Sequence, residues 1–426
     1  MRNRIVGGVP AVVAALAVFP IISLVLLRGV DVPYWDEWEW VPLIHAAHLH
    51  TLTFADVWQP HNEHRIFFPN LIMLTLDGLG GWDVVREQVV SVAMLAATQV
   101  VVWLLIRRTV TPRLQGLTFL AVTALLFGLA QYENLEWGFQ MAWFLCDLGM
   151  VVAVWALALP DRGVREVTIA IGAATIASLS SSQGLASWIA GTVVIVLVPR
   201  RSMRTLLVWI FAAIAVAVLA RYGIHALGDS TSGTRASAPH LAQYLLAYLG
   251  APLAGSFGTA FATAAGTVLV VWLLALATMA WRAPHSLRIL LAPWLAVSAY
   301  VLACAALTTL GRGGFDPSQA LSSRYTSIGS LAWLSVVVAT VVCMPGTLRR
   351  TAPLVVPIVF VLYFSFTQDV FGNAQWSRHA HEMAVSRERL SRADIEGIGA
   401  VYPFPDRFMM LLGELYDVRD GVFNAR

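Results

Sequence analysis

Three carboxylates lie within four consecutive residues near the start of the chain, in the stretch YWDEWEW. Asp36 and Glu37 are adjacent, and Glu39 follows two residues later. A carboxylate can accept a proton from a hydroxyl nucleophile, or it can hold a divalent cation such as Mg or Mn against phosphate oxygens. Asp36 and Glu37 are therefore the candidate catalytic pair and the candidate metal ligands. The alternative is that they are solvated acids within an aromatic belt.

Five hydrogen-bonding side chains follow one another in the stretch HNEHR. Such a run suits a polar ligand better than it suits a membrane anchor, although a solvated turn would explain the same residues. The spacing of the histidines matches no standard zinc pattern, so we do not expect zinc here. The candidate substrate-binding residues of this stretch are His61, Asn62, Glu63, His64 and Arg65.

Amides, acids and flat aromatic rings alternate in the stretch QYENLEWGFQ. Sugar binding uses this combination, because hydrogen bonds hold the hydroxyls and ring faces cover the C–H groups. Helix capping and interfacial anchoring would explain the same residues. The stretch SSSQG adds one more amide, which we expect on the same side of the membrane. The candidates from these two stretches are Glu133, Asn134, Glu136 and Gln183.

Two arginines stand out in GRGGFDPSQALSSRYT, since most connections on this side carry acids and amides. An arginine close to the hydrocarbon is costly and is usually paired. Its planar fork fits a phosphate or a carboxylate, and a lipid phosphate or pyrophosphate would be such a partner. Arg312, Arg324 and the adjacent Tyr325 are therefore candidate substrate-binding residues. Snorkelling of the arginines to lipid headgroups is the alternative.

The elements that carry these residues are membrane helices. The chain has 426 residues, of which 58% are hydrophobic and 12% are charged, whereas soluble domains have about 25% charged residues. This composition predicts an all-α polytopic membrane protein and gives no indication of a nucleic-acid partner. A span needs roughly 17–25 apolar residues. The candidate spans are 6–28, 84–106, 115–131, 139–158, 166–180, 184–199, 205–222, 259–280, 288–308, 326–343 and 353–368.

Arginine is the basis for predicting which side each connection faces. Alternate short connections carry arginines, and the chain has no lysine. The positive-inside rule therefore assigns the arginine-bearing connections to the cytoplasm. The candidate site residues then face outward. The absence of lysine favours a GC-rich bacterial genome, and hence the bacterial inner membrane. Asp147 falls inside a predicted span, where an acid is a functional candidate by default, but a bond to a neighbouring helix would explain it equally.

The predicted organisation is a transmembrane module over 1–368 and a polar extracytoplasmic tail over 369–426. The first outer loop covers about 29–83 and is expected to carry interfacial helices. Two apolar segments, 66–82 and 241–257, are expected to be interfacial or re-entrant, since counting either as a span would reverse every later loop. Tyr34, Trp35, Trp38 and Trp40 are expected to hold the acids of the first loop at the membrane surface.

These features resemble the GT-C class of membrane glycosyltransferases, which includes protein O-mannosyltransferases and the aminoarabinose and arabinosyl transferases. The resemblance covers positions 1 to about 370 and rests on a first span, an outer loop that opens with the acids of YWDEWEW, and many short-looped spans. The strings HNEHRI, NLEWGFQ and SRYT are similar to those of bacterial polytopic proteins grouped with these enzymes. The chain departs from many members because a short tail replaces their large C-terminal periplasmic domain.

The resemblance implies transfer of a sugar from a polyprenyl-phosphate donor to a cell-envelope acceptor, which is a glycan, a lipid or a protein. Asp36 would deprotonate the acceptor hydroxyl, with Glu37 assisting or binding a divalent cation. Arg324 would hold the donor phosphate with help from Arg312. Three rival functions stay open: a lipid or glycolipid transporter or flippase, an acyltransferase or phosphotransferase that uses a histidine–aspartate pair, and a non-catalytic anchoring protein.

Overall fold

The computed structural model describes residues 18–160, 162–198, 203–224, 236–344, 348–392 and 401–421. These residues form an α-helical bundle with one small β-hairpin. The helices are α1 (Val18–Arg28), α2 (Val41–His48), α3 (Phe54–Trp58), α4 (Phe67–Gly78), α5 (Val84–Thr109), α6 (Pro112–Leu126), α7 (Tyr132–Glu136), α8 (Met141–Leu157), α9 (Val164–Ser178), α10 (Ser187–Leu197), α11 (Met203–Arg221), α12 (Ala238–Ala254), α13 (Thr259–Arg282), α14 (His285–Arg312), α15 (Thr326–Val342), α16 (Leu348–Ser391) and α17 (Pro405–Val418).

Short 3-10 helices and one hairpin connect these elements. The hairpin pairs β1 (Pro60–His61) with β2 (His64–Arg65) in antiparallel register, with His61 opposite His64. The 3-10 helices are Trp35–Trp40, Leu129–Gln131, Gly138–Gln140, Ser182–Ala186, Gly255–Phe257, Pro317–Leu321 and Ser323–Tyr325.

The prediction of an all-α polytopic membrane protein is confirmed. Among the described residues, eight helical segments are long and apolar enough to cross a membrane. The predicted count was eleven. The first predicted span, 6–28, lies partly outside the described residues, while α9 has only 15 residues and α10 only 11. Those three spans stay predictions.

The bundle is arranged around α15. Within Ser323–Val342 the most apolar stretch is 94% buried, whereas in Met203–Arg221 the corresponding value is 11%. Helix α15 therefore packs on other helices on all sides. In contrast, α11 lies at the rim of the bundle with most of its surface accessible to lipid. The apolar segment predicted as interfacial or re-entrant at 241–257 largely corresponds to α12, a 17-residue helix packed along α13.

The α12–α13 contact depends on two glycines. A Cβ on Gly250 would overlap the carbonyl oxygen of Ala262, and a Cβ on Gly266 would overlap that of Leu246. Small residues at such positions let two helix backbones approach closely, which is a common way to associate helices in a bilayer. The other segment predicted not to span, 66–82, contains α4, whose 12 residues are too few for a crossing.

A second hydrophobic core lies outside the bundle. It joins the first loop to the end of α16 and to the C-terminal residues, and we call this part (residues 31–82, 383–392 and 401–421) the cap. The expectation that the tryptophans anchor the loop at the membrane surface is wrong for two of them. Trp38 and Trp40 are 0% and 1% exposed and belong to the core of the cap. Phe408 packs on Trp38 with ring centroids 4.8 Å apart.

The C-terminal residues are structurally part of this cap. The domain boundary predicted at 368/369 falls inside α16, which continues without a break from the bundle into the cap. Further along, the Trp35 N–H donates to the Val401 carbonyl at 2.7 Å, and Arg407 pairs with Glu39 at 3.0 Å. The tail therefore holds the acidic stretch of the first loop in place.

Candidate functional site

A cavity of about 650 Å³ lies at the end of the bundle that faces the cap. It is built from segments that are far apart in the chain: the start of the first loop, the β-hairpin, the 3-10 helix Ser182–Ala186, the ends of α11 and α14, and the residues before α15. Nine predicted site residues line it: Asp36, His61, Asn62, Glu63, His64, Gln183, Arg312, Arg324 and Tyr325.

Asp36 is the carboxylate that faces this cavity. It lies in the 3-10 helix Trp35–Trp40, and its Oδ1 is 3.6 Å from the His61 Nε2. Burial opposes ionisation of Asp36, but contact with His61 and the charge of Arg324 together lower its pKa below the usual value. The group is therefore an ionised carboxylate at neutral pH and can accept a proton.

Glu37, its neighbour, does not line the cavity. Its side chain is fully buried and accepts hydrogen bonds from the Tyr34 N–H at 2.7 Å and the Phe139 N–H at 3.0 Å. Burial raises its pKa to about 8. The carboxylate thus joins the 3-10 helix to the segment before α8, and this role fixes the direction in which Asp36 points.

The hairpin between β1 and β2 supplies the histidines. Asn62 has φ +50°, a left-handed turn conformation that asparagine tolerates better than most residues. The Ser182 hydroxyl donates to the Glu63 carbonyl at 2.8 Å, and the Ser182 N–H points at the His64 Nδ1 from 3.4 Å. If Nδ1 accepts, Nε2 carries the proton. Burial lowers the pKa of His64 to about 4, so this side chain is neutral at pH 7.

Arg65, also predicted to bind substrate, instead anchors the hairpin. It is 3% exposed and donates to the carbonyls of Trp58 and Tyr222, and its guanidinium lies over the Trp58 ring at 4.6 Å. These contacts engage both terminal nitrogens of the guanidinium and tie β2 to the residue after α11. The residue is absent from the cavity wall.

Three arginines reach the cavity. Arg312 is 3.9 Å from the Glu63 carboxylate, and Arg221 donates to the Glu63 carbonyl at 3.5 Å. Arg324 forms no salt bridge with any described residue, and its Nε is buried without a hydrogen-bond partner there. An unpaired buried guanidinium donor is costly unless a ligand meets it. Arg221 was not predicted, although it is the last residue of an apolar helix, as Arg312 is.

Glu133 and Asn134 position the arginine without lining the cavity. The Glu133 Oε2 accepts from the Arg324 N–H at 2.8 Å and from the Ser322 hydroxyl at 3.1 Å, and the Asn134 amide donates to the Arg324 carbonyl at 3.0 Å. These bonds fix the backbone of Ser323–Tyr325. Glu136 also does not line the cavity. Its carboxylate pairs with His379 of α16 at 3.0 Å.

One wall of the cavity is apolar and faces outward from the bundle. It is formed by α10 and α14, where Ile189, Leu307 and Leu310 are each more than two-fifths exposed. A second, apolar cavity of about 340 Å³ is lined by the next turns of the same two helices, including Val193 and Leu302, and by residues 270–281 of α13. The two cavities therefore lie one after the other along the α10–α14 groove. Among the lining residues that were not predicted, the aromatic and amide side chains are Trp137, Phe139, Gln140 and Trp143.

Asp36 and Glu37 do not fit the predicted divalent cation. Adjacent residues on the 3-10 helix direct their carboxylates to different surroundings, and both Glu37 oxygens accept backbone N–H groups. Among the described residues, one group of three side chains brings ligand atoms within 4.8 Å of one another: His48, Asp77 and Asp420. It joins the first loop to the tail and does not line the cavity, so no chemistry is assigned to it.

The cavity thus combines an ionised carboxylate, three guanidinium groups and an apolar wall that opens sideways. A ligand with an anionic head and an apolar chain matches all three features. In comparisons with family models, curated proteins and solved structures, the chain matches none.

Proposed function

We propose that the chain is a membrane glycosyltransferase that moves a sugar from a polyprenyl-phosphate donor to a cell-envelope acceptor. One observation carries the proposal: Asp36 and Arg324, which forms no salt bridge with any described residue, face the same cavity, and a second, apolar cavity follows it along α10 and α14. A proton acceptor, a phosphate site and a lipid path are the three parts that this reaction needs.

The donor would lie with its phosphate at Arg324 and its chain in the groove. Guanidinium groups suit phosphate because their N–H donors match its oxygens in pairs. Arg312 and Arg221 would assist, although Glu63 already engages both. The sugar would then contact His61, His64 and Gln183, which offer hydrogen bonds on the polar side of the cavity.

In the proposed step, the Asp36 carboxylate takes the proton of an acceptor hydroxyl. The hydroxyl oxygen forms a bond to the anomeric carbon while the bond from that carbon to the phosphate oxygen breaks. The electron pair of that bond leaves with the polyprenyl phosphate, whose new charge the arginines stabilise. Attack opposite the leaving group inverts the anomeric carbon. No metal takes part in this step, because Asp36 and Glu37 do not form a joint ligand set.

The proposal places this chemistry at the extracytoplasmic face of the bacterial inner membrane. It rests on the positive-inside rule and on helix length. From its start beside the cap, α5 runs to Arg107 and Arg108 in its last turn, and a helix of that length spans about 39 Å. These arginines therefore lie at the end of the helix remote from the cavity.

The decisive experiment is transfer from a panel of radiolabelled polyprenyl-phosphate sugars in membranes that contain the protein. We expect one donor to support transfer, and Asp36→Asn to lower the rate by about 10²–10⁴-fold, the usual contribution of a general base. Donor binding should persist in this variant. Asp316→Asn, which changes an exposed acid outside the cavity, is the matched control. Undiminished transfer by Asp36→Asn would show that Asp36 is not the base.

The Asp36–His61 contact favours one second candidate, an acyltransferase or phosphotransferase. In that reaction His61 would take the proton and Asp36 would orient the imidazole. The same membranes supplied with labelled acyl or phosphoryl donors separate the two functions. Label transfer from such a donor, together with no sugar transfer, would favour the second candidate.

A further inference from the structure

The cap contains a cavity of its own, of about 220 Å³, which the donor site described above does not use. Its polar lining comes from both parts of the cap: Glu39, Asp56, Gln59 and His61 of the first loop, and Arg407 of α17. Pro42, Leu43 and Ile66 supply an apolar surface beside them. The first loop therefore forms most of this cavity, and Arg407 closes one side of it.

His61 connects this cavity to the donor cavity, since it lines both. Its imidazole is 3.6 Å from the Asp36 carboxylate on one side. On the other, it borders the cap cavity together with Pro60, its neighbour in β1. A molecule seated in the cap cavity would thus have a single side chain between it and the proposed base.

The polar groups of the cap cavity offer both donors and acceptors with little net charge. Glu39 accepts from the Tyr402 hydroxyl and from the Arg407 Nη2, the latter at 3.0 Å, so its charge is already paired. The Gln59 side chain makes no hydrogen bond with any described residue and is exposed. An amide that can donate and accept suits a hydroxyl, which does the same.

We propose that the cap cavity binds the terminal ring of a saccharide acceptor, an inference that rests on the glycosyltransferase function proposed above. A volume of 220 Å³ equals that of about seven water molecules, which is room for one hydroxyl-bearing ring. A peptide acceptor would need an extended groove, and a lipid acceptor would need an apolar one. Carboxylates that already have protein partners, Glu39 with Arg407 and Asp56 with the Thr53 hydroxyl, together with the Gln59 amide, instead favour a neutral polyhydroxylated ring.

In this arrangement the acceptor hydroxyl reaches past His61 to Asp36. There it gives up its proton to the carboxylate and bonds to the anomeric carbon of the donor sugar as the phosphate leaves. The acceptor approaches from the aqueous side and the donor from the lipid side. The two substrates therefore enter by separate routes and meet at the wall formed by the hairpin.

The test is binding to the full chain in lipid nanodiscs, followed by saturation-transfer NMR with methyl glycosides and a serine-containing peptide as probes. Transfer activity is not required, so the result does not depend on identifying the donor. Gln59→Trp fills the cap cavity at an exposed position where no protein hydrogen bond is lost. Gln243→Trp, at an exposed site on α12 that lines neither cavity, is the matched control.

We expect at least one glycoside to bind the wild type and the Gln243→Trp protein equally. We expect Gln59→Trp to weaken that binding by at least about tenfold, equivalent to 1.4 kcal/mol, with retained binding of polyprenyl phosphate. Equal glycoside binding by Gln59→Trp, binding of the peptide in place of glycosides, or no glycoside binding at all would each overturn the proposal. If glycosides bind as expected but no donor supports transfer, the glycosyltransferase function fails while the saccharide site stands.

Discussion

At the scale of single residues, burial divides two adjacent acids between two different tasks. Asp36 faces the cavity near His61 and Arg324, which keep it ionised. Glu37 is fully enclosed, and burial raises its pKa to about 8. In the sequence the two carboxylates are equivalent candidates. Only their surroundings make one a proton acceptor and the other a structural clamp.

Arg324→Lys should separate charge from geometry at the phosphate site. Lysine keeps the positive charge but loses the planar fork and the Nε donor, so we expect the donor KM to rise by about tenfold, equivalent to 1.4 kcal/mol, with a smaller change in kcat. Initial-rate kinetics over a range of donor concentrations measure both constants. Arg392→Lys, at an exposed residue that directly follows α16, is the control. An unchanged donor KM in Arg324→Lys would remove Arg324 from the phosphate site.

Glu37→Gln should change how stability depends on pH. The pKa of Glu37 is raised in the folded state, so the folded protein holds a proton that the unfolded chain releases above about pH 4.5. Stability from this group is therefore lost as pH rises towards about 8. Glutamine does not titrate, so the Tm of the variant should improve relative to wild type between pH 5 and pH 8.

Thermal unfolding in detergent or nanodiscs over this pH range gives the comparison. Glu388→Gln removes an exposed carboxylate of α16 and controls for the change in net charge. A constant difference in Tm between Glu37→Gln and wild type would mean that Glu37 is ionised in the folded protein.

At the scale of elements, short irregular segments rather than long helices present the chemistry. Asp36 lies in a 3-10 helix, His61 in a two-residue strand and Arg324 in another 3-10 helix. Each segment is fixed by side-chain to backbone hydrogen bonds from a different part of the chain. Glu133 provides such bonds to the segment of Arg324. From the sequence, acids such as Glu133 were predicted to bind the substrate directly. In the structure, Glu133 instead holds the backbone of the segment that carries Arg324.

Glu133→Ala should act through Arg324. Loss of the acceptor for the Arg324 N–H and the Ser322 hydroxyl would free the Ser323–Tyr325 turn, and we expect the donor KM to rise by about tenfold while kcat changes less. Glu133→Gln retains one acceptor oxygen and should restore most of the affinity. If the glutamine variant is as impaired as the alanine variant, the charge of Glu133 acts on the substrate directly.

At the scale of the whole molecule, the cap and the bundle contribute different halves of the site. The bundle supplies the arginines and the apolar groove, and the cap supplies Asp36 and His61.

The walls of the second, apolar cavity are almost entirely hydrocarbon. A transporter would need polar groups along its path. Asp147, the buried acid of α8, is held by the Tyr300 hydroxyl at 3.1 Å and lines neither cavity, so it adds no polar group to such a path.

Phe408→Ala should loosen the cap by weakening the contact between α17 and the first loop. Phe408 is 4% exposed in the core of the cap, so its truncation should cost about 3–5 kcal/mol of cap stability. Limited proteolysis of the first loop and sugar transfer report the effect, and we expect faster cleavage and lower kcat. Met410→Ala, on the same helix and 59% exposed, should leave both unchanged. Protection of the loop in Phe408→Ala would show that the cap does not depend on α17.

The sequence by itself determined the membrane-protein class, because hydropathy and charge asymmetry are local properties of a chain in a bilayer. It also indicated nine of the residues that line the cavity. It did not determine the roles of Glu37, Arg65, Glu133, Asn134 and Glu136. Each of these polar groups is satisfied by a partner distant in the chain, and only tertiary packing decides whether such a group meets protein or ligand. The same reason explains why Trp38 and Trp40, which resembled interfacial anchors, form the core of a cap that exists only when the C-terminal residues return to the first loop.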